Sequence, residues 1–385
     1  PSGWQVPLPA AAPLVPAGCA KVTYTSGTTG NPKGVLLRRE PMERVAASLV
    51  AAVGVGPGDR HLAALPLALL LENLAGLYAP ILAGASVELR PLGAVGVHGA
   101  AGIDPARLWS ALAGSAATTT ILTPQMLQAL VEHAEAAAPG PLALRFAAVG
   151  GARVPPRLLD RARDCGIPAY EGYGLSECAS VVAVNRPGAD RPGSAGRPLP
   201  HVRVRVAEDG ELWVAGALGD GYLGGGGPAA EDGFWPTGDL GYRDGEGFLH
   251  LTGRKRHVYV TAYGRNVAPE WVEGELTQEP AIAQAAVFGE AQPRNAAVVW
   301  STADDAQVDA AIAAANRRLP DYARVAVWLR ATQPFSIENG QLTGTGRLRR
   351  DAILAAYDDA LARLRGRRDC ATTTDSEETW AFSSN

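Results

Sequence analysis

Apolar and polar positions change their spacing twice along this chain. Residues 1–18 (PSGWQVPLPAAAPLVPAG) hold too many ring-locked prolines for a helix and read as an extended lead-in. The apolar-leaning run 19–25 predicts a strand, and PMERVAASLVAAV at 41–53 keeps a helical period with proline in its first turn. Short apolar runs at 86–89, 118–122 and 146–149 then predict strands, alternating with Ala/Leu-rich helical stretches at 125–138 and 156–165. Alternation of that kind argues for a layered α/β domain. From about residue 197 to 251 the blocks shorten into strands separated by Gly/Asp turns, at 202–206, 211–214 and 248–251, which predicts a β-rich subdomain. The polar stretch 253–257 reads as a linker. A strand (258–261), a helix (269–277), two strands (285–288, 298–300), a helix (304–318) and a last strand (325–329) then predict a small α+β domain. The expected division is therefore lead-in 1–18, large domain 19–253, hinge 254–257, small domain 258–368 and an acidic, Ser/Thr-rich tail 369–385 read as disordered.

Composition narrows the class. Hydrophobic residues make up 47% and charged residues 19%, enough for a substantial core. The net charge of −4 argues against nucleic acid as the main partner. The four cysteines (Cys19, Cys165, Cys178, Cys370) are far apart and the six histidines lack metal-ligand spacing, so a reduced, cytoplasmic setting is expected. The apolar region 62–89 is interrupted by Pro66, Glu72, Asn73 and Pro80, and reads as buried helix and strand rather than a membrane span. The chain starts at Pro1, so the absence of a leader peptide carries no weight.

The chemistry begins at Tyr24 to Gly34, YTSGTTGNPKG. Glycines let a backbone curl and aim several N–H groups at one anion, while hydroxyls and a lysine add donors and charge. Such a loop suits a polyphosphate. Its spacing is not the G-x-x-x-x-G-K-[ST] of a Walker loop, and no Ser or Thr follows Lys33. By itself a Gly/Ser/Thr cluster is as often a plain surface loop.

More signals follow in order: Gly150-Gly151-Ala152, Tyr170 to Glu177 (YEGYGLSE), Thr237-Gly238-Asp239, Gly253 to Arg256 (GRKR) and Asn339 to Arg350 (NGQLTGTGRLRR). Together these resemble the adenylate-forming superfamily of acyl-CoA synthetases, peptide-synthetase adenylation domains and luciferases, over roughly residues 19 to 365. Leu65-Pro66-Leu67-Ala68 with Glu72, and Glu-Asn-Gly-x-Leu-Thr at 338–343, look most like long-chain fatty acyl-CoA synthetases. In that family a long segment precedes the phosphate loop, so the resemblance implies a large domain lacking its front part, a natural short form, a truncated gene or a shortened expression product.

The resemblance implies an ATP- and Mg²⁺-dependent activation of a carboxylic acid to acyl-AMP, then transfer to coenzyme A or the phosphopantetheine of an acyl carrier protein. Thr25, Ser26, Gly27, Thr28, Thr29, Gly30 and Lys33 would hold the β- and γ-phosphates. Glu177 would bind Mg²⁺, Ser176 would touch the α-phosphate, and Tyr173, beside Gly174, would stack on adenine against the wall Gly150, Gly151, Ala152. Asp239 would take both ribose hydroxyls, since a carboxylate accepts two hydrogen bonds at once. Arg254 would support ribose or phosphates and Arg256 would be the hinge. A core tyrosine and a Gly-Asp turn are the plainer readings of Tyr173 and Asp239.

Four positions depart from the family. Leu69, at the acyl pocket, stands where long-chain relatives have histidine. His257 follows the hinge where an acid is usual. Tyr263-Gly264 replaces Gly-Gly beside the acceptor tunnel. Arg347 replaces the lysine brought to the reacting carboxylate, keeping the charge on a wider planar fork. Arg347 leaves three outcomes: a retuned first step, a second step with slow adenylation, or a decayed enzyme. The competing readings are a weak or inactive nucleotide-binding relative, and an adenylating enzyme with another acceptor, such as one closing a β-lactone. Arg349 and Arg350 read as a solvated helix start.

Overall fold

The computed structural model describes residues 15–25, 33–98, 102–225, 230–336, 338–343 and 346–372, with side chains up to residue 364. The chain divides into two compact units, 1–251 and 252–385.

The first unit opens with a hairpin. β1 (Cys19–Thr25) and β2 (Lys33–Arg38) pair antiparallel, so the predicted strand delivers the Gly-rich loop and a second strand, missed in the sequence, carries it back. α1 (Arg39–Val53) follows, ended by Gly54 in the left-handed region. The core sheet is built from β3 (Arg60–Leu62), β4 (Ser86–Glu88), β5 (Thr119–Leu122), β6 (Phe146–Val149), β7 (Ala169–Leu175), β8 (Ser180–Val184) and β9 (Arg197–Pro198). Its order is β4-β3-β5-β6-β7-β8-β9; β4 through β7 run parallel, and β8 and β9 are antiparallel additions.

Between β3 and β4 lies a π-helical turn, Glu72–Tyr78, running into the short α2 (Ala79–Leu82). α3 (Pro105–Gly114), α4 (Pro124–Ala137) and α5 (Pro156–Asp164) join the later strands. Proline opens all three, and Asp104 and Thr123 cap the first two by accepting from backbone N–H groups. One core cluster packs these helices on the sheet, and another packs α1 and the hairpin. The apolar region 62–89 is mainly the turn Glu72–Tyr78 and α2, burying Leu74 and Ala79 while Ile81, Leu82 and Leu89 stay exposed. Asp59 ties this layer together: Arg145 donates to both its carboxylate oxygens, at 2.7 and 2.6 Å, and holds it down to about 2.

The β-rich subdomain is a four-stranded antiparallel sheet of β10 (Arg203–Val206), β11 (Glu211–Ala215), β12 (Trp235–Arg243) and β13 (Leu249–Arg254). β13 extends through Arg254, so the polar stretch read as a linker starts inside a strand; ladder hydrogen bonds are indifferent to side-chain polarity.

The second unit holds the hairpin β14 (Tyr259–Val260) and β15 (Asn266–Val267), and a three-stranded sheet β16 (Gln284–Phe288), β17 (Asn295–Trp300), β18 (Val325–Arg330). Ala285 and Val287 face a core shared with α6 (Pro269–Leu276) and α7 (Asp305–Asn316), while Ala286 packs with α8 (Arg350–Thr372) on the other side. Two expectations are corrected here. α8 ends only at Thr372, so residues 369–372 of the tail expected to be disordered are helical, continuing the Ala-, Leu- and Arg-rich helix before them. Arg350 is not a solvated helix start: it forks onto Glu273 at 2.6 and 2.5 Å, with its side chain only 14% exposed. Among the described residues no helix is long and apolar enough to cross a membrane.

Candidate active site

In open α/β sheets, ligands sit outside the carboxyl ends of the parallel strands. Here that edge carries Gly150, Gly151 and Ala152 after β6, and Ser176 and Glu177 after β7. Gly151 has φ +92, a conformation that favours glycine. Gly174 has a stricter reason: a Cβ there would lie 1.6 Å from the Ser180 carbonyl oxygen, where β7 folds back onto β8. Its part is to let the backbones meet.

Of the Gly-rich loop, Ser26, Gly27, Thr28, Thr29 and Gly30 lie outside the described residues. Its two ends are in place: Thr25 and Lys33 are cross-strand partners at the hairpin mouth, and the Thr25 hydroxyl lies 3.4 Å from the Lys33 carbonyl oxygen. The Lys33 ammonium sits 5.1 Å from the centre of the Tyr222 ring, and the Tyr222 hydroxyl donates to Glu177 Oε1 at 2.7 Å. The segment around Tyr222 is fastened to both neighbours. Val35 and Tyr222 form a β-bridge, Leu223 N donates to the Gly34 carbonyl, and Gly219 N donates to the Glu177 carbonyl.

Tyr222 was not singled out from the sequence. It stands in GDGYLGGGG, whose glycines announce a turn but give no sign that the turn is laid against β2. A tyrosine amid such a glycine cluster was the only signal available.

Tyr222 also meets Trp235 edge-on at 6.1 Å, where β12 begins. Along β12, Thr237 anchors its hydroxyl on the Leu212 carbonyl at 2.7 Å and accepts from Asp239 N at 3.0 Å. Gly238 between them has φ +72. Asp239, buried, accepts from the Tyr173 hydroxyl at 2.7 Å. Burial, reinforced by the Asp239 charge, pushes the Tyr173 phenol well above its usual value, so it stays a donor. Trp235, packed in one core cluster with Tyr173, links the Lys33–Tyr222–Glu177 group to the Tyr173–Asp239 pair.

Glu171, in the same motif, is buried and accepts from Val154 N at 3.2 Å; burial pushes its carboxyl up to about 8. Leu69 is half-buried and packs on the main core with Leu71. Beneath that turn Glu72, fully buried, accepts from Leu65 N at 3.0 Å and lies 2.8 Å from His61 Nε2. Gly76 makes room for this pair, because a Cβ would fall 2.0 Å from Glu72 Oε1.

The remaining candidates belong to the second unit. Arg254 ends β13, and Arg256 Nε lies 3.2 Å from His257 Nε2. His257 Nδ1 contacts Glu270 Oε1. His257 and Arg350 together hold the Glu270 carboxyl below its usual value despite its burial, which acts the other way. Tyr263 is 76% exposed beside Gly264 (φ +71), at the tip of the β14–β15 hairpin. Arg347 lies in a tight turn, its N–H donating to Thr343 Oγ1 at 3.1 Å and its carbonyl accepting from Thr343 N at 2.8 Å.

A mixed α/β sheet with a β-rich annex, followed by a separate small α+β unit, defines the architecture of adenylate-forming enzymes. A family model described as AMP-binding enzyme matches residues 2–234, and one described as AMP-binding enzyme C-terminal domain matches residues 257–368. The chain belongs to the family of AMP-binding enzymes. It is 29% identical to the long-chain-fatty-acid–CoA ligase FadD15 of Mycobacterium bovis, over 88% of this chain and 68% of that protein. It is 32% identical to the indoleacetate–CoA ligase of Aromatoleum aromaticum, over 72% of this chain and 56% of that one. Among solved structures it resembles the O-succinylbenzoate coenzyme A synthetase of Bacillus subtilis in complex with ATP and magnesium, with a TM-score of 0.71 and 26% identity, covering 86% of this chain and 68% of that one.

Proposed function

We propose that this chain activates a carboxylic acid with ATP. A carboxylate oxygen attacks the α-phosphorus, the bond to the β-phosphate oxygen breaks, and acyl-AMP and pyrophosphate form. A thiol then attacks the acyl carbon and AMP leaves. The observation that carries this reading is the convergence of Lys33 and Glu177 on Tyr222, at the mouth of the Gly-rich hairpin. A cation and a carboxylate held together there suit a polyphosphate and its counter-ion.

Among the described residues no three His, Cys, Asp or Glu side chains gather as a metal cage. A single carboxylate, Glu177, therefore fits an ion such as Mg²⁺ that takes its other oxygens from phosphates and water. Bound there, Mg²⁺ would neutralise phosphate charge. Asp239 and Tyr173 would hold the ribose and adenine, with Gly150, Gly151, Ala152, Gly174 and Ser176 beside them. Thr25, the loop residues Ser26 to Gly30 and Lys33 would hold the outer phosphates, and Arg254 the ribose or phosphates. Arg256 would be the hinge and Arg347 the cation brought to the reacting carboxylate. The acid is a fatty acid in this reading, supported by the 65–68 and 338–343 motifs and by similarity to a fatty-acid ligase. The acceptor is coenzyme A, in keeping with the relatives' names, in a cytoplasmic setting.

The test is ATP–pyrophosphate exchange with Mg²⁺ and acids from acetate to palmitate, plus indoleacetate. Acid-dependent exchange is expected, reduced at least a hundredfold by Glu177→Ala, with the most active acid naming the substrate class. Adding coenzyme A, or a phosphopantetheinylated carrier protein, identifies the acceptor by its thioester. Folded protein that binds ATP yet exchanges with no acid would overturn the proposal. Arg347→Lys then separates a retuned first step from a decayed one, since only in the second should lysine restore exchange.

A further inference from the structure

On the first unit, the edge strand β9 lies near the edge strand β10, and a cavity of about 560 Å³ opens between them. Arg186, Arg197, Arg203 and Arg243 line it, with Glu246 the single acid in the wall. It shares no residue with the cluster around Glu177. The chain as a whole is acidic, at −4, so four guanidinium groups around one cavity are a local concentration of charge against the general trend.

Three observations indicate a built site. First, the wall's only carboxylate is already engaged: Glu246 pairs with Arg191, which also donates to Asp244 at 2.6 Å. Among the described residues none of the four lining arginines has a carboxylate in ion-pair reach. Second, two of the four, Arg197 and Arg203, have their planes held by aromatic rings rather than by acids. The Arg197 guanidinium lies 4.6 Å from the Phe248 ring centre and that of Arg203 lies 5.2 Å from Phe234. Stacking satisfies a guanidinium's flat face and leaves its N–H edges in want of acceptors. Arg186 Nη1 and Arg197 Nε are indeed sealed from solvent with no hydrogen-bond partner. Third, Gly247, whose φ of +88 favours glycine, brings the wall close to Arg243: a Cβ there would fall 3.1 Å from Nη2.

One guanidinium fork matches a carboxylate or a phosphate equally, but four converging on one cavity call for an anion with more charge and more oxygens than a lone carboxylate offers. The cavity also exceeds the size of one phosphate. We propose that it binds an anion carrying two phosphate groups, either free as pyrophosphate or borne on a nucleoside such as adenosine 3′,5′-bisphosphate.

The test is equilibrium dialysis of the whole chain with each of these two probes. The proteins are wild type, the exposed-position double variant Arg203→Gln/Arg243→Gln, and Lys33→Ala, with circular dichroism and unfolding midpoint as fold controls. Wild type should show a class of sites that weakens with ionic strength and survives Lys33→Ala. The double variant should lose that class, its affinity falling about tenfold for each guanidinium removed, while keeping any binding that depends on Lys33. Pyrophosphate binding without the bisphosphate would identify the free anion as ligand, and tighter bisphosphate binding the nucleotide. Unchanged binding of both probes in a folded double variant, or no Lys33-independent binding in wild type, overturns the proposal. Should the double variant fail to fold, Arg203→Gln alone decides it. Failure of acid-dependent exchange would leave these measurements untouched.

Discussion

Single residues decide the chemistry of the cluster, and two make sharp tests. The Tyr222 hydroxyl donates to Glu177 and the ring lies under Lys33, so Tyr222→Phe keeps the ring and loses only the carboxylate's donor. A hydrogen bond to a charged group contributes about 1.5–3 kcal/mol. If Glu177 holds the metal, the variant should shift the Mg²⁺ dependence of exchange about tenfold, with a loss of unfolding free energy no larger than that one bond. An equal loss at all Mg²⁺ concentrations would speak against a positioning role. Glu171 makes the second test. Burial pushes its carboxyl up to about 8, against about 4.3 in an unfolded chain. Between those values the folded chain keeps a proton that the unfolded chain has shed, so this group's contribution is fully present below pH 4 and is lost as pH rises through 8. Glu171→Gln retains an acceptor for Val154 N, and should flatten the fall in denaturant stability between pH 5 and 8.5. A wild-type slope surviving in the variant would assign it to another group.

Elements are held in register by a few close approaches. β7 carries Tyr173 and delivers Glu177, and its crossing onto β8 depends on Gly174. Gly174→Ala must push the Ser180 carbonyl away from a methyl placed 1.6 Å from it, separating the two strands. A loss of about 3 kcal/mol or more, or no soluble protein, is expected from urea unfolding, since the obstacle is backbone rather than a flexible side chain. The motif YGLSE is thus partly a nucleotide signal and partly a packing demand. Most helices and strands could be read from spacing, and 146–149 matched to the residue. Of the strands the spacing does not show, 33–38 (KGVLLR) is a short apolar run between charges, while 169–175 and 235–243 are rich in Gly, Tyr, Asp and Thr and lack alternation. Their neighbours, not their own sequence, make them strands.

At the scale of the whole molecule, each unit has its own core. In the second, one sheet face packs on α6 and α7 and the other on α8, and Arg350 is closed onto Glu273 between them. Residues 252–372 expressed alone should therefore unfold cooperatively in denaturant, and a gradual, non-cooperative melt would show that this core is insufficient by itself. The order of motifs along the sequence determined the family and the two-part α/β architecture. Glycine-rich turns, apolar spacing and paired chemical groups are local features, and they survive being read one window at a time. The sequence also flagged Lys33, Tyr173, Glu177 and Asp239, because each sits in such a window. Only the tertiary structure decided what those residues touch. It joined Tyr173 to Asp239 on β12, set Tyr222 between Lys33 and Glu177, buried Arg350 in an ion pair, and gathered four arginines around one cavity. Contacts between residues far apart in sequence depend on how sheets and turns stack, which no local pattern encodes.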